Sequence, residues 1–410
     1  MAPAHPSRSR RVIASAKAQL APARRPIAAA VGTAAVLRLV AQAVAMVSAF
    51  GLGFLALSDH GLHLLIPVWN HWDSIHYLSI ARHGYPAARE VAGKVGRGLP
   101  PDVAFAPLYP VAIAAAHAIT GTTYLTSGQI VSGFAVVASF FGLYRLVERD
   151  HGAKLAGTAV ALLAAFPSAF FLLIAYPEAL SLAAIVWAFV AARRGSWLAA
   201  GILLAAATMT KFYPVVFALP LLVELNEQRG RGADGSKAPA SREVGRAFAL
   251  LGPSIVAAGA WMAVCAHLYG DPLASVHVQS EWEQSISFPW TSISRNLYDT
   301  VHLRILNPYV GTVMETFDLV SDVAIGAMAV YVFRHVRRSY GVLLAVAWCV
   351  FTFQTVLVSE TRQTLVCFPF FIGLARLVEG HPWRERCCYA LFLPASYFLI
   401  QRFVTNRFAG

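Results

Sequence analysis

The stretch AFALLGPSIVAAGAWMAVCAHL, residues 247–268, contains no Asp, Glu, Lys or Arg. About 20 apolar residues, each rising ~1.5 Å along a helix, match the ~30 Å hydrocarbon core of a bilayer. Comparable uncharged blocks lie at 156–175 and 340–358. We therefore predict membrane-crossing helices at 156–175, 247–268, 340–358 and 363–379, and we expect the chain to be an all-α, polytopic membrane protein.

The composition of the whole chain supports this class. Of its 410 residues, 57% are hydrophobic and 13% are charged, whereas soluble domains carry about 25% charged residues. The formal net charge of +12 does not indicate a nucleic-acid binder, because the basic residues lie in the ends and short loops that set membrane orientation. A soluble enzyme and a nucleic-acid-binding protein are excluded, and we expect a bundle of about 11–12 transmembrane helices.

The basic residues also predict the domain organisation. Residues 1–26 contain Lys and Arg but no acidic residue, so we expect a basic cytoplasmic tail followed by a single transmembrane domain at 27–410. Two large extracytoplasmic loops are predicted at about 58–104 and 269–315, and a cytoplasmic linker at about 225–245. The loops that share the cytoplasmic side in this scheme are 145–154, 193–194, 229–246 and 334–338.

The side of the membrane on which the later loops lie depends on whether segment 105–120 crosses it. If it crossed the membrane, every basic loop after it would lie outside, against the positive-inside rule. The segment is short and contains Pro107 and Pro110. We interpret it as a re-entrant or peripheral outer helix.

The first outer loop contains HWDSIHYLSIARHGY, residues 71–85. This stretch predicts a short helix between Trp72 and Gly84, with Asp73, His76 and Tyr77 on one face. A carboxylate beside aromatic rings at the membrane boundary can act as a general base. The alternative is an interfacial helix whose aromatic residues lie in the aromatic belt and whose Asp73 is only solvated.

A metal site is a further alternative for this loop. His and Asp together suit zinc or manganese, and five histidines crowd the loop: His60, His63, His71, His76 and His83. No H-E-x-x-H or comparable ligand pair is present. We therefore predict no metal site.

Three ionisable residues lie at the ends of apolar blocks. Glu178 begins one block, Lys211 separates two short blocks at 197–210 and 212–224, and Arg362 precedes another. We interpret the two short blocks as a hairpin with Lys211 at its outer tip. An ionisable group at a membrane span indicates a functional site, and the two cations could meet a phosphate. Snorkelling of both side chains to the interface is the competing explanation.

Several motifs together resemble one family. They are Trp72-Asp73…Tyr77, Phe105-x-Pro107-Leu108-Tyr109-Pro110, Phe166-Pro167-Ser168-x-Phe170-Phe171…Tyr176-x-Glu178, Thr210-Lys211, Gly270-Asp271-Pro272, Gln279 with Trp282, and Arg362…Pro369. Their order and spacing resemble the PIG-V-like (GPI mannosyltransferase 2-like) mannosyltransferases, in particular bacterial members of the actinobacterial type. The chain departs from the family pattern at His71, where Arg is usual, and at Lys211-Phe212, where Arg-Pro is usual.

The resemblance implies a GT-C-like fold and inverting transfer of mannose from a polyprenyl-phosphate donor to a lipid or glycan acceptor. It implies Asp73 as catalytic base at an extracytoplasmic site of the plasma membrane, with no metal or cofactor and with membrane lipids as partners. We assign the donor phosphate to Lys211 and Arg362. The substrate-binding candidates are Trp72, His76, Tyr77, Tyr109, Tyr176, Glu178, Asp271, Gln279 and Trp282. A transporter, a lipid flippase, or a GT-C enzyme that uses another polyprenyl-phosphate sugar remains an alternative.

Overall fold

A computed structural model describes residues 24–51, 66–87, 98–228, 240–282, 284–302 and 311–409. Within these ranges the chain forms α-helices joined by 3₁₀ turns and loops, and the only β-type pairing is an isolated bridge between Ile286 and Gln354. The predicted all-α class is confirmed. Most of the basic tail, the linker segment 229–239, and His60 and His63 lie outside the described residues.

The α-helices are numbered here in chain order. They are α1 Arg24–Gly51, α2 Asp73–His83, α3 Leu108–Thr120, α4 Tyr124–Ala165, α5 Glu178–Arg193, α6 Trp197–Thr210, α7 Ala218–Gln228, α8 Ala240–Tyr269, α9 Ala274–His277, α10 Pro289–His302, α11 Gly311–His335, α12 Arg338–Thr352, α13 Glu360–Gln363, α14 Phe368–Val378 and α15 Pro382–Val404. Short 3₁₀ turns lie at Pro67–Trp69, Pro101–Ala104, Ala169–Leu172, Tyr213–Phe217, Val278–Trp282 and Thr364–Val366.

Five of the described helices are long and apolar enough to cross a membrane, judged by length and composition. They contain Arg25–Ala49, Tyr124–Ala165, Ser241–Tyr269, Val313–His335 and Pro382–Val404. Four shorter apolar helices accompany them, and one of these is Leu108–Thr120, the segment interpreted as peripheral or re-entrant. These helices support a multi-pass membrane protein. The count of 11–12 crossings and the position of α3 stay predictions.

The predicted crossing at 156–175 is wrong as a single helix. Helix α4 ends at Ala165, and Phe166 is extended with φ −59° and ψ 143°. The cause is Pro167, which disfavours helical backbone in the residue before it. Residues up to Pro177 then form turns and the 3₁₀ segment Ala169–Leu172, so the aromatic residues of this stretch line an irregular loop.

Two later boundaries also differ from the prediction. The block at 340–358 is helical only to Thr352, where α12 ends. The block at 363–379 becomes a regular helix only from Phe368, after the short α13 and a 3₁₀ turn. Both differences lie around Arg362. Between Thr352 and Phe368 the chain therefore forms a loop with short helical turns, where the prediction has the ends of two long helices.

Helix α5 lies in the centre of the bundle and packs against α4 and α6. Its residues Leu182, Ile185 and Phe189 are fully buried. Helix α6 in turn approaches α8 closely at Gly201, where an added Cβ would lie 2.4 Å from the carbonyl oxygen of Ala249. Small residues permit such close approach of membrane helices.

A buried ion network joins helix ends far from the start of α5. Arg337 Nε donates to Glu224 Oε2 at 2.6 Å, and Arg193 Nη1 donates to Asp150 Oδ2 at 2.6 Å. Arg193 Nε also lies 3.5 Å from Glu224 Oε1. The network brings together the end of α5, the start of α12 and the part of α4 next to Gly152, where φ 84° and ψ 168° break the helix. The shared cytoplasmic side of the basic loops stays a prediction.

Candidate functional site

The site is built on the sharp turn that precedes α2. Trp72 has φ 55° and ψ −127°, an unfavourable conformation for a residue with a side chain, and such strain costs about 1–3 kcal/mol. Two hydrogen bonds hold the turn: Ser74 Oγ donates to the His71 carbonyl at 2.9 Å, and Tyr176 Oη donates to the same oxygen at 3.1 Å. The turn places Asp73 at the first position of α2, and Gly84 ends that helix as predicted.

Arg362 joins Asp73 to a second carboxylate. Its Nη1 donates to Asp73 Oδ2 at 2.8 Å, and its Nε lies 3.3 Å from Glu178 Oε1. The Arg362 side chain is 11% exposed and that of Asp73 is 32% exposed. Burial lowers the pKa of Arg362, but Asp73 and Glu178 raise it by more. The guanidinium therefore remains charged.

Lys211 completes the cluster from the end of α6. Its Nζ donates to Glu178 Oε1 at 2.8 Å and to Gln363 Oε1 at 3.1 Å, and it lies 5.5 Å from the centre of the Tyr213 ring. Burial lowers the pKa of Lys211, although Glu178 opposes this effect. Two cations and two carboxylates thus meet in a largely buried position, and Lys211 and Arg362 both contact the same oxygen of Glu178. We call this set of four side chains the charge cluster.

The short helix α13 presents Arg362 to the cluster. Ser359, just before α13, has a left-handed backbone with φ 63°. Asp318 of α11 accepts the Ser359 and Thr361 backbone N–H groups at 3.1 and 3.4 Å, and Ser168 Oγ donates to the Thr361 carbonyl at 2.8 Å. Asp318 is fully buried. The sequence did not indicate this role, because Asp318 lies within an apolar block and is 41 positions from Ser359 in the chain.

His76 lies one turn along α2 and pairs with Asp102. Its Nδ1 is 2.6 Å from Asp102 Oδ1, and its ring stacks on Phe105 with centroids 4.6 Å apart. Sequence reasoning did not single out Asp102, which lies in the 3₁₀ turn Pro101–Ala104. A carboxylate on Nδ1 favours the tautomer in which Nε2 can accept a proton. Carboxylate and aromatic contacts therefore fix both the orientation and the tautomer of this imidazole.

Of the tyrosines predicted to bind substrate, some lie at the charge cluster and others are part of the protein core. Tyr176 lies beneath Arg362, with its ring centre 5.5 Å from the guanidinium carbon. Tyr77 is buried edge-on against Tyr109 at 5.3 Å, and burial, followed by Asp73 and Glu178, raises the pKa of Tyr77. Tyr109 belongs to the core instead, because its hydroxyl contacts Ser132 Oγ at 2.8 Å.

Asp271 and Gln279 belong to a second group, after α8. Asp271 Oδ2 is 2.6 Å from His277 Nδ1, and Gln279 Nε2 donates to the Ser275 carbonyl at 3.5 Å. Tyr269 Oη donates to the Pro86 carbonyl at 3.1 Å, which ties this group to the loop that follows α2. The Trp282 side chain lies outside the described part of the structure.

The histidines near Asp73 contact different partners. His76 pairs with Asp102, whereas His71 packs edge-on against Phe403 at 5.6 Å. Burial lowers the pKa of His71, and the side chain of Asn406 opposes this. Among the described residues, no three His, Cys, Asp or Glu side chains are arranged to hold a metal ion.

The last turn of α15 and the segment after it also reach the site. The Phe408 ring lies edge-on to Trp72, with centroids 5.6 Å apart, and Phe403 packs on Phe170, Phe171 and Tyr176. The motifs that carry the family resemblance end at Pro369, so they gave no reason to include this segment. The Phe408 ring therefore contacts the strained Trp72 turn directly.

An apolar groove lies beside the chain that follows Lys211. It has a volume of about 640 Å³ and runs between α7 and α12. Its lining includes Val215, Leu219, Leu222, Val346 and Val350. Val215 lies only four residues after Lys211.

No family model matches the chain, and no curated protein sequence matches it. Solved structures of similar overall shape include the Archaeoglobus fulgidus oligosaccharyltransferase in its apo form, with 11% identity, a TM-score of 0.45, and coverage of 92% of this chain and 56% of that chain. The archaeal oligosaccharyltransferase AglB from Archaeoglobus fulgidus, in complex with an inhibitory peptide and a dolichol-phosphate, has 10% identity, a TM-score of 0.44, and coverage of 92% of this chain and 56% of that chain. ArnT from Cupriavidus metallidurans bound to undecaprenyl phosphate has 12% identity, a TM-score of 0.39, and coverage of 92% and 78%. This chain spans about half the length of the archaeal enzyme.

Proposed function

We propose that the protein is an integral-membrane glycosyltransferase with a GT-C-like arrangement. It transfers mannose from a polyprenyl-phosphate donor to a hydroxyl of a lipid or glycan acceptor, on the extracytoplasmic face of the plasma membrane. The observation that carries the proposal is the charge cluster, in which Lys211 and Arg362 converge on Glu178 while Arg362 also holds Asp73.

The two cations suit a phosphate that leaves with a negative charge. Charge-assisted hydrogen bonds from buried cations are strong because little water competes with them. The Lys211 and Arg362 side chains are about one-tenth exposed, at 10% and 11%. Since the phosphate is already a good leaving group, the reaction needs no acid catalyst, unlike hydrolysis of an ordinary glycosidic bond by two carboxylates.

Asp73 serves as the base in this proposal. In the structure Arg362 Nη1 donates to Asp73 Oδ2, and this contact occupies one oxygen of the carboxylate. A donor phosphate would attract Arg362 and release Asp73. Asp73 then takes the proton of the acceptor hydroxyl, the oxygen attacks the anomeric carbon, and the bond from that carbon to the phosphate oxygen breaks. The electron pair remains on the phosphate, beside Lys211 and Arg362.

The surrounding surfaces suit the other parts of the two substrates. The apolar groove, whose lining includes Val215 four residues after Lys211, suits the polyprenyl chain because its lining is apolar. His76, oriented by Asp102, lies one helical turn beyond Asp73 and could accept a hydrogen bond from the acceptor. We therefore place the donor lipid on the Lys211 side and the acceptor on the His76 side.

The direct test is a transfer assay with purified full-length protein. Radiolabelled polyprenyl-phosphate mannose is incubated with membrane lipids, and labelled products are compared for wild type, Asp73→Asn and Lys211→Ala. Glu148→Gln, which removes a half-buried carboxylate of α4 paired with Arg145, is the control. Transfer by wild type and the control, with loss in both site variants, supports the proposal.

Two other results would replace it. Transfer of a different sugar from the same lipid carrier would change the donor assignment and keep the enzyme class. Movement of labelled lipid across a liposome without transfer, and without dependence on Asp73, would identify a transporter or flippase.

A further inference from the structure

Helix α1 carries a single charge within its apolar length. Between residues 26 and 51 the only charged side chain is Arg38. Its neighbours Val36 and Leu39 are 61% and 70% exposed. In a helix apolar enough to cross a membrane, large exposed apolar side chains face lipid. Arg38 therefore lies beside the lipid-facing surface.

Two hydrogen bonds hold the Arg38 guanidinium, and both acceptors are uncharged. Arg38 Nη1 donates to the Leu173 carbonyl at 3.1 Å, and Nη2 donates to Gln129 Oε1 at 2.8 Å. Both acceptors are neutral, and a guanidinium has five N–H donors. Among the described residues, no carboxylate lies within ion-pair distance of Arg38, although other buried arginines of this protein have such partners.

A charge without a counter-charge at membrane depth is costly and commonly marks a binding site. Hydrogen bonding between helices would not require a charge, since a neutral amide could donate to the same two oxygens. The positive charge at this position therefore indicates an anionic ligand.

A cavity of about 320 Å³ lies next to the guanidinium. Its polar lining is Arg38, Thr126 and Gln129, and its apolar lining includes Ile130 and Val136. At ~30 Å³ per water, the cavity has room for about ten waters, enough for a phosphodiester and a glycerol unit. Two acyl chains would not fit and would have to lie outside it, along the apolar face of α1.

The cavity lies near the same end of the bundle as the charge cluster. Ile66, which lines it, directly precedes the turn that leads to Asp73. Leu173, which also lines it, is close in sequence to Tyr176 and Glu178. A ligand there would occupy the leaflet on the Asp73 side.

We propose that Arg38, with Gln129 and Thr126, binds the phosphate of an anionic phospholipid in this leaflet. The acyl chains lie against the exposed apolar residues of α1. A lipid is favoured over free phosphate because the cavity adjoins lipid-facing side chains and most of its lining is apolar. This site is separate from the charge cluster and does not depend on the proposed enzyme activity.

The test measures lipid retention by the full-length protein. Protein in detergent is equilibrated with phosphatidylglycerol or phosphatidylcholine, and bound lipid is measured by native mass spectrometry. Arg38→Gln keeps hydrogen-bond donors but loses the charge, and should weaken phosphatidylglycerol binding about 10- to 100-fold. Arg38→Lys should retain most of the binding. Arg25→Gln, an exposed position on the same helix, should behave like wild type.

A second variant guards against misfolding of the first. Ala34 is buried and lines the cavity, so Ala34→Phe should fill the space and displace the lipid while Arg38 remains. Equal retention of phosphatidylglycerol by wild type, Arg38→Gln and Ala34→Phe would overturn the proposal. Equal binding of phosphatidylcholine, or displacement of the lipid by millimolar inorganic phosphate, would also contradict an anionic phospholipid site.

Discussion

Replacing Asp73 by Asn should change turnover and donor binding in opposite directions. The amide keeps the shape of the side chain but cannot accept the proton of the acceptor. Loss of a general base lowers the rate by about 10² to 10⁴. The same change removes the carboxylate that holds Arg362 Nη1 at 2.8 Å, so Arg362 becomes available to a phosphate without first breaking this contact.

The expected gain in donor affinity depends on how deeply the Arg362–Asp73 pair is buried. A hydrogen bond to a charged group is worth about 1.5–3 kcal/mol. The Asp73 side chain is 32% exposed, and solvent screening reduces the value to about 1 kcal/mol. That energy corresponds to about fivefold tighter binding of the donor.

The measurement is a pair of titrations on wild type and Asp73→Asn. Binding of polyprenyl phosphate is followed by calorimetry in detergent, and kcat is measured with the labelled donor. Glu148→Gln in α4 is a matched carboxylate-to-amide change, because Glu148 is also half-buried and paired with an arginine, Arg145; it controls for loss of one negative charge. Weaker phosphate binding by Asp73→Asn would mean that the Arg362–Asp73 pair builds the phosphate site, and the proposed release of the base would be refuted. A wild-type kcat would remove Asp73 from the chemistry.

Three further predictions concern the neighbours of the cluster. Because burial lowers the pKa of Lys211, its charge should be lost at a lower pH than the charge of a surface lysine. Donor affinity, measured against pH, should therefore fall at a lower alkaline pH in wild type than in Lys211→Arg, in which the charge persists. Asp102→Asn should lower kcat/KM for the acceptor about tenfold, the size expected when about one hydrogen bond from the acceptor to His76 is lost, while the donor KM stays constant; an equal change in both KM values would disagree. Phe408→Ala should lower kcat and speed hydrogen exchange at the Trp72 turn, because the edge contact at 5.6 Å is lost; Phe398→Ala, a comparable truncation on α15, should do neither.

The sequence by itself determined the class of the protein and the local features of the site. Apolar length reports the cost of placing a segment in lipid, and that cost is a property of the segment alone. Helix α2 was predictable because its stop signal, Gly84, lies within the segment. Glu178, Lys211 and Arg362 stood out because a charge at the end of an apolar block is itself a local anomaly. The error at 156–175 has the same origin, since hydropathy does not register that Pro167 ends a helix.

Only the tertiary structure decided which of these residues meet. Asp73 and Arg362 are 289 positions apart, and Lys211 and Gln363 are 152 apart. No local pattern contains such distances, because they depend on how α5 and α6 pack and on how Asp318 folds the loop before Arg362. The partner of His76 was hidden for the same reason, since Asp102 approaches it from a separate turn. Phe408 comes from outside the motif region altogether. Residue types in a sequence indicate which chemistry is possible, and packing determines which of them share a site.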